Sequence, residues 1–399
     1  MYELQRNRID ISLYLLDNSE VINIRGQEGG VTFGKYNLVD VYDKVKLQMG
    51  SIEGLINQPN YQDRNLMTAL QTTIDQLGKT IYLEVLRDLA VRDLFNRSTR
   101  RSQDSELSIS FKMDKKFINL PVEFMLPDES KFPLAVTIPI YKTLTTDGNI
   151  YQKNDLDAAE EVNILLVSSN TRIKKTDKIM IAGEEKLVNF TLPDIIEVDN
   201  RDKSEIEEIE KILINAQNKG KGKIKVNKIH TDQIDYQSFL NLIASDTYHI
   251  IHYNGHGYAD LNASGNSYIF FWEKINQGGK VIALDANKLG LTLLKTKNLK
   301  LFYLSSCQGA AAEDGYKRYL NGFVGMLDAV ASAGIPNALG MRWPISISNS
   351  KKLACKFYDA LFFDRVGSIE AALMNARGET YGYDDKTVWC SPVLIKQTY

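Results

Sequence analysis

The sequence predicts an α/β protein, with a mainly parallel sheet sandwiched between helices and an α+β accessory region ahead of it. Three observations carry this. Apolar runs of strand length, VNILLVSS (162–169), YHIIHY (248–253) and LKLFYLSS (299–306), suit strands buried on both faces of a parallel sheet. Helical patterns alternate with them, so strand, helix and strand recur in one direction. The chain has 399 residues, 44% hydrophobic and 25% charged, which is enough for a large buried core.

Residues 1–34 read as strands and turns, with Gly26 and Gly29-Gly30 at the turns. Helical patterns cover 38–49 and 65–95, where Leu77, Ile81 and Val85 recur at four-residue spacing and Leu86 and Leu89 extend the stripe. RSTRRSQDS reads as a surface loop carrying Arg97, Arg100 and Arg101. ELSISF is a strand, and FINLPVEFMLP a strand or turn limited by Pro121 and Pro127. The acidic, polar stretch 145–160 marks a boundary. Residues 1–160 therefore form the accessory region, packed on a second domain over 161–399.

In that second domain, Ser204 stands where it would cap the helix 204–216, with Glu205, Glu207 and Glu208 favouring its first turn. KIKVNKI is a strand, 235–244 a helix, and YHIIHY a strand broken by Asn254-Gly255. YIFFW and KVIAL form a hairpin, and 286–294 a helix. After LKLFYLSS come a helix stopped by Gly334, the strand PNALGMRW, helices over 349–363 and 368–377, and a last strand, PVLIK.

Composition excludes several classes. Lys plus Arg is 48 and Asp plus Glu is 50, a net charge of -2, so no direct nucleic-acid partner is expected. No apolar run reaches membrane-spanning length, and MYELQRNRID lacks a secretion-signal pattern, so no membrane partner is expected. Cys307, Cys355 and Cys390 cannot all pair and show no CxxC spacing, which points to a reducing, cytoplasmic setting. Neither GxxxxGK[ST] nor GxGxxG occurs. KTDK and KGKGK read as solvated loops, and no cofactor is expected.

Two residues stand at places suited to chemistry. His256, in YNGHG, and Cys307, in LSSCQGA, each follow a parallel strand, where such sheets present functional side chains. A thiol beside an imidazole is the minimum apparatus for nucleophilic acyl transfer. Gly255, Gly257 and Gly309 leave room for a substrate backbone, and the N–H groups of Gly257 and Cys307 are oxyanion-hole candidates. The same residues also fit a small buried thiol and a turn-capping imidazole. Zinc is the chemical rival, because His249, His252 and His256 lie close together. On a strand, however, His249 and His252 face opposite ways, and no Cys pair or HExxH supports a site, so no metal is expected.

HIIHYNGHG resembles the histidine motif of the CHAT-domain peptidases, relatives of caspases, separases, gingipains and clostripain-like enzymes, and LKLFYLSSCQGAA resembles their cysteine motif. The downstream order fits as well: GFVGMLDAVASAGIPNALGMRWPIS, then KLACKFYDALF, IEAALMNAR and VWCSPVLI. LGKTIYLEVL and INLPVEF resemble the run that precedes the catalytic part. The likeness covers most of the chain after about Asp40. It implies a caspase-like α/β/α sandwich and a cysteine endopeptidase with His256 as general base and acid and Cys307 as nucleophile. Gln308 replaces the usual acidic residue, and Met341-Arg342-Trp343 the usual Ser-Leu-Trp.

Specificity is less determined. By resemblance, Ser305, two before the nucleophile, helps form the S1 pocket. Asp285 offers charge for a P1 Arg or Lys, and Arg342 for a P1 Asp. Asp260, Glu313 and Asp314 are further acidic candidates. The expectation leans to a basic P1. The resemblance also implies a protein substrate, such as a gasdermin-like pore former, an activating protein or subunit, and a role in bacterial (antiviral) defence or regulated cell death. Two other classes stand beside the peptidase: a catalytically silent caspase-like scaffold that binds a partner, and a metal-dependent hydrolase.

Overall fold

Alternation of apolar and polar residues builds the first strands. Ile9, Ile11 and Leu13 are all buried and two apart, so β1 (Asn7–Leu16) presents one face to a core. It pairs antiparallel with β2 (Ser19–Arg25), which pairs antiparallel with β3 (Val31–Tyr36). Helices α1 (Leu38–Ile56), α2 (Arg64–Val85) and α3 (Leu89–Arg101) follow. The chain then returns as β4 (Leu107–Met113) parallel to β1, and as β5 (Ile140–Leu144) parallel to β4.

The computed structural model describes residues 7–16, 19–25, 31–36, 38–56, 58, 63–101, 107–113, 117–144, 156, 161–169, 171, 177–181, 183–188, 204–230, 234–260, 266–273, 280–307, 319–343, 345–364 and 368–397. The chain divides into two compact units, Met1–Asp147 with Leu373–Cys390, and Gly148–Ala372 with Ser391–Tyr399.

Two expectations for the first unit need correction. The segment RSTRR is helical through Arg101. The helix is launched by Asp88, whose carboxylate accepts from the N–H groups of Ala90 and Val91, and it is anchored by buried Val91 and Phe95. Residues 102–105 lie outside the described set. The α2 stripe ends at Leu86, because the helix stops there and Leu89 begins α3 with 70% exposure.

The second unit is built on a parallel sheet. Its strands are β6 (Glu161–Ser169), β7 (Lys178–Ile181), β8 (Glu184–Leu187), β9 (Lys223–His230), β10 (Ile250–Asp260), β11 (Asn266–Trp272), β12 (Val281–Asp285), β13 (Leu301–Cys307), β14 (Asn337–Met341) and β15 (Pro392–Lys396). Its helices are α4 (Glu205–Asn218), α5 (Tyr236–Ala244), α6 (Ala286–Leu293), α7 (Tyr319–Ser332) and α8 (Ile347–Asp359). The division between units falls inside α9 (Ile369–Thr380), and α10 (Thr387–Cys390) belongs to the first unit.

The order β9-β6-β10-β13-β14 is parallel throughout, and β15 pairs antiparallel with β14. Apolar burial holds the centre: Leu301, Phe302 and Leu304 of β13 are fully buried, each worth about 1.5–3 kcal/mol against exposure. Helices cover both faces. His252 points to α4 and α8, while its neighbour Tyr253 meets Phe239 of α5, and strand alternation puts these helices on opposite sides. With α5 go α6 and α7.

A side ribbon, β11-β12-β7-β8, extends from the far half of β10. The β11-β12 hairpin matches expectation. The β7-β8 hairpin was not foreseen, since its strands are four residues each and β8 is exposed throughout.

Ser204 occupies the N-cap position of α4, but its hydroxyl makes no capping bond. Asp235, Asp285 and Ser346 do cap, accepting from the N–H groups of Ser238, Lys288 and Asn349 respectively.

Candidate active site

Three adjacent strands, largely apolar along their buried stretch, turn polar at one level. Ser168 of β6, Asn254 of β10 and Ser305 of β13 are register partners, as are Ser169, Gly255 and Ser306. One step further, His256 is paired with Cys307. Neighbouring strands lie about 4.8 Å apart, so the two backbones meet at side-chain reach. His256 is 3% exposed.

The expected break at Asn254-Gly255 does not occur. Strand β10 runs on to Asp260 by changing partners, from β6 and β13 up to Gly255 and His256 to β11 from Gly257 onward. The two glycines make this passage possible. A Cβ at position 255 would stand 2.3 Å from the hydroxyl of Tyr253, whose ring lies across that position. At Gly257 a Cβ would meet the Ser306 hydroxyl oxygen at 3.0 Å.

The Tyr253 hydroxyl then fixes the strand beyond the glycine. Its single proton is shared between the carbonyls of His256 at 3.2 Å and Phe270 at 3.1 Å, and its oxygen accepts from the Phe270 N–H at 3.3 Å. Burial pushes this phenol well above its ordinary value, so it keeps its proton. Ser169 donates to the same Phe270 carbonyl.

The other candidates occupy distinct places. Ser305 is 1% exposed, its hydroxyl 2.8 Å from that of Ser350. Arg342 follows β14 at the same sheet edge, 3% exposed, with its N–H donating to the Ser391 carbonyl at 2.7 Å. Asp285 ends β12 level with Tyr258, since both pair with Tyr268 of β11; two strand spacings, roughly 10 Å, separate their backbones. One Asp285 carboxylate oxygen accepts from the Lys288 N–H at 2.8 Å. Asp260 ends β10, while Gln308, Gly309, Glu313 and Asp314 lie outside the described residues.

The histidines do not converge. His249 precedes β10 and its Nδ1 accepts from the Asn163 N–H, while His252 binds Glu205. Among the described residues, no three His, Cys, Asp or Glu side chains gather as metal ligands, and no helix is long and apolar enough to cross a membrane.

Sequence reasoning missed the parts of Tyr253, Glu205, Ser350 and Tyr358 around these strands. For Tyr253 a signal existed: an aromatic residue two before a strand glycine lies on the glycine's face. For Glu205 none existed, since its partner is 47 residues away.

The fold is a caspase-like α/β/α sandwich with polar groups gathered at the carboxyl ends of its central strands. The chain belongs to the CHAT-domain family, whose model, described as CHAT domain, matches residues 75–395. Membership places it among caspase-like cysteine peptidases at the level of family. No curated protein matches it.

Among solved structures, it is similar to the separase chain of a Saccharomyces cerevisiae separase–securin complex, at 8% identity and a TM-score of 0.51. That match covers 98% of this chain but 30% of the separase chain. A second structure of that complex gives 9% identity and a TM-score of 0.49, covering 99% and 30%. The complex of Porphyromonas gingivalis RgpB pro- and mature domains gives 10% identity and a TM-score of 0.40, covering 78% of this chain and 69% of that one.

Proposed function

We infer that the protein is a cysteine endopeptidase working through Cys307 and His256. The single observation that carries the reading is their register pairing across two parallel strands, within a chain of the CHAT family. In the reaction, His256 takes the Cys307 proton and the thiolate sulfur bonds to the scissile carbonyl carbon. The resulting oxyanion accepts from the N–H groups of Gly257 and Cys307. Collapse breaks the C–N bond as His256 protonates the departing amine, leaving a thioester. Water, deprotonated by His256, then releases the acid and restores the thiol.

Substrate selection in this reading falls to the residues around the sheet edge. Asp285, level with Tyr258 two residues beyond His256, supports a P1 Arg or Lys, and Arg342 is the competing determinant for a P1 Asp. The substrate is a protein, with a gasdermin-like pore former and a place in bacterial defence as the extension drawn from family resemblance. Cleavage of a mixed peptide library, read by mass spectrometry in the parent and in Cys307→Ala, tests the reading. Cuts that vanish in Cys307→Ala are expected. Cuts that persist in it exclude the dyad, and a chain that neither cuts nor alkylates at Cys307 is a silent scaffold.

A further inference from the structure

The face of the sheet that carries His256 holds a buried polar network with no place in the chemistry above. Glu205, the first residue of α4, is 3% exposed, and its Oε1 lies 2.8 Å from His252 Nε2. Its Oε2 accepts from the Ser350 hydroxyl of α8 at 3.0 Å. Ser350 lies 2.8 Å from the Ser305 hydroxyl, and His252 Nδ1 lies 3.3 Å from the Tyr358 hydroxyl.

The proton directions are fixed by chemistry. A carboxylate only accepts, so His252 Nε2 donates to Glu205. The single proton of Ser350 goes to Glu205, so Ser305 must donate to Ser350. Burial, with the charge of Glu205 adding, raises the Tyr358 phenol well above its ordinary value, so Tyr358 keeps its proton; in the tautomer with the His252 proton on Nε2, Nδ1 accepts from it. Two chains of donors thus end on one carboxylate, from Tyr358 through His252 and from Ser305 through Ser350.

The attachment points are what give the network meaning. His252 is four residues before His256 on β10, and Ser305 is two before Cys307 on β13. With a side-chain period of two, both belong to the face of their strand that the site pair continues. A fully buried carboxylate is a costly way to fill space, and apolar residues would pack as well. What it supplies is direction, since each strand can satisfy it in one register only.

We propose that Glu205 is a positioning residue that locks β10 to β13 through His252 on one side and Ser350–Ser305 on the other, setting the distance between His256 and Cys307. This rests on the peptidase reading. It gives Ser305 a supporting place, its proton committed beneath the site.

The test compares Glu205→Gln and Ser350→Ala with Leu213→Ala, which thins the core under the same helix without touching the network. Peptide kcat and KM, iodoacetamide alkylation of Cys307 and the melting temperature are measured for each. Misplacing reacting groups by an ångström costs about 100-fold, so kcat in the network variants should fall by about that factor with KM little changed. Cys307 alkylation should slow in step. Leu213→Ala should lose melting temperature and keep its kcat. Parental kcat in the network variants, or an equal kcat loss in Leu213→Ala, overturns the proposal. A parent chain whose cleavage survives Cys307→Ala instead removes the peptidase reading, and the proposal with it, before any network variant is measured.

Discussion

The hydroxyl of Tyr253 reaches the carbonyl oxygen of His256, three residues ahead on the same strand, at 3.2 Å. The ring can take this path only because position 255 is glycine. The motif Tyr-Asn-Gly-His is thus one local device, in which an aromatic side chain passes over a missing Cβ to pin the backbone of the histidine.

Removing that hydroxyl should therefore cost both stability and rate. Tyr253→Phe leaves the carbonyl of His256 and the N–H of Phe270 without this partner, a loss of about 1–3 kcal/mol. Gly255→Ala forces the ring aside, an overpacking of similar size. Urea denaturation should show both losses, with kcat falling and the Cys307 thiol still present.

Asp285 caps α6, and a single substitution can separate that role from the proposed reading of a P1 Arg or Lys. Asn caps helices as well as Asp does, so Asp285→Asn keeps α6 capped while removing the charge. If Asp285 reads a P1 Arg or Lys, kcat/KM for those substrates should drop at unchanged melting temperature. Asp285→Ala should also cost about 1 kcal/mol of stability. Ser204→Ala, by contrast, should be close to neutral, because that hydroxyl makes no capping bond.

Stability should fall on the alkaline side. Burial, then the charges of Glu205 and Glu208, pushes the Cys355 thiol from its ordinary 9.0 up to about 12. Between those values the unfolded chain releases a proton that the folded chain retains, so rising pH favours unfolding. The contribution is fully present below 9.0 and is lost as pH rises through about 12. Cys355→Ala should flatten the fall in melting temperature over that range. An unchanged slope would assign it to Tyr253 and Tyr358, whose phenols are raised too.

In the first unit, Lys142 is wholly buried 3.3 Å from Glu123 and donates to the Ile118 carbonyl at 2.8 Å. Lys142→Met takes the opposite charge away from a buried carboxylate and should destabilise the chain by about 3–5 kcal/mol. Adding Glu123→Met should recover most of that loss in denaturant titration.

The sequence made the parallel strands legible because burial on both faces forces apolar runs such as LKLFYLSS, and it placed His256 and Cys307 where those runs end. What it hid depends on distant partners. Asn254-Gly255 reads as a break, yet the strand continues because β11 takes over pairing where β6 and β13 let go. RSTRR reads as a loop because its charges are local, while the anchoring of α3 by Val91 and Phe95 is tertiary. Glu205 reads as one more acid favouring a helix start. Only the folded chain brings it to His252, on β10, and to Ser350, 145 residues away.

The most direct measurement is the iodoacetamide labelling rate of each cysteine near neutral pH, in the parent and in His256→Ala. Cys355 and Cys390 serve as internal references, one with its thiol held protonated and one fully buried. Cys307 should label far faster than either in the parent, and the replacement of His256 should remove that advantage. Equal labelling of all three, or a Cys307 rate unchanged in His256→Ala, would contradict the Cys307–His256 dyad.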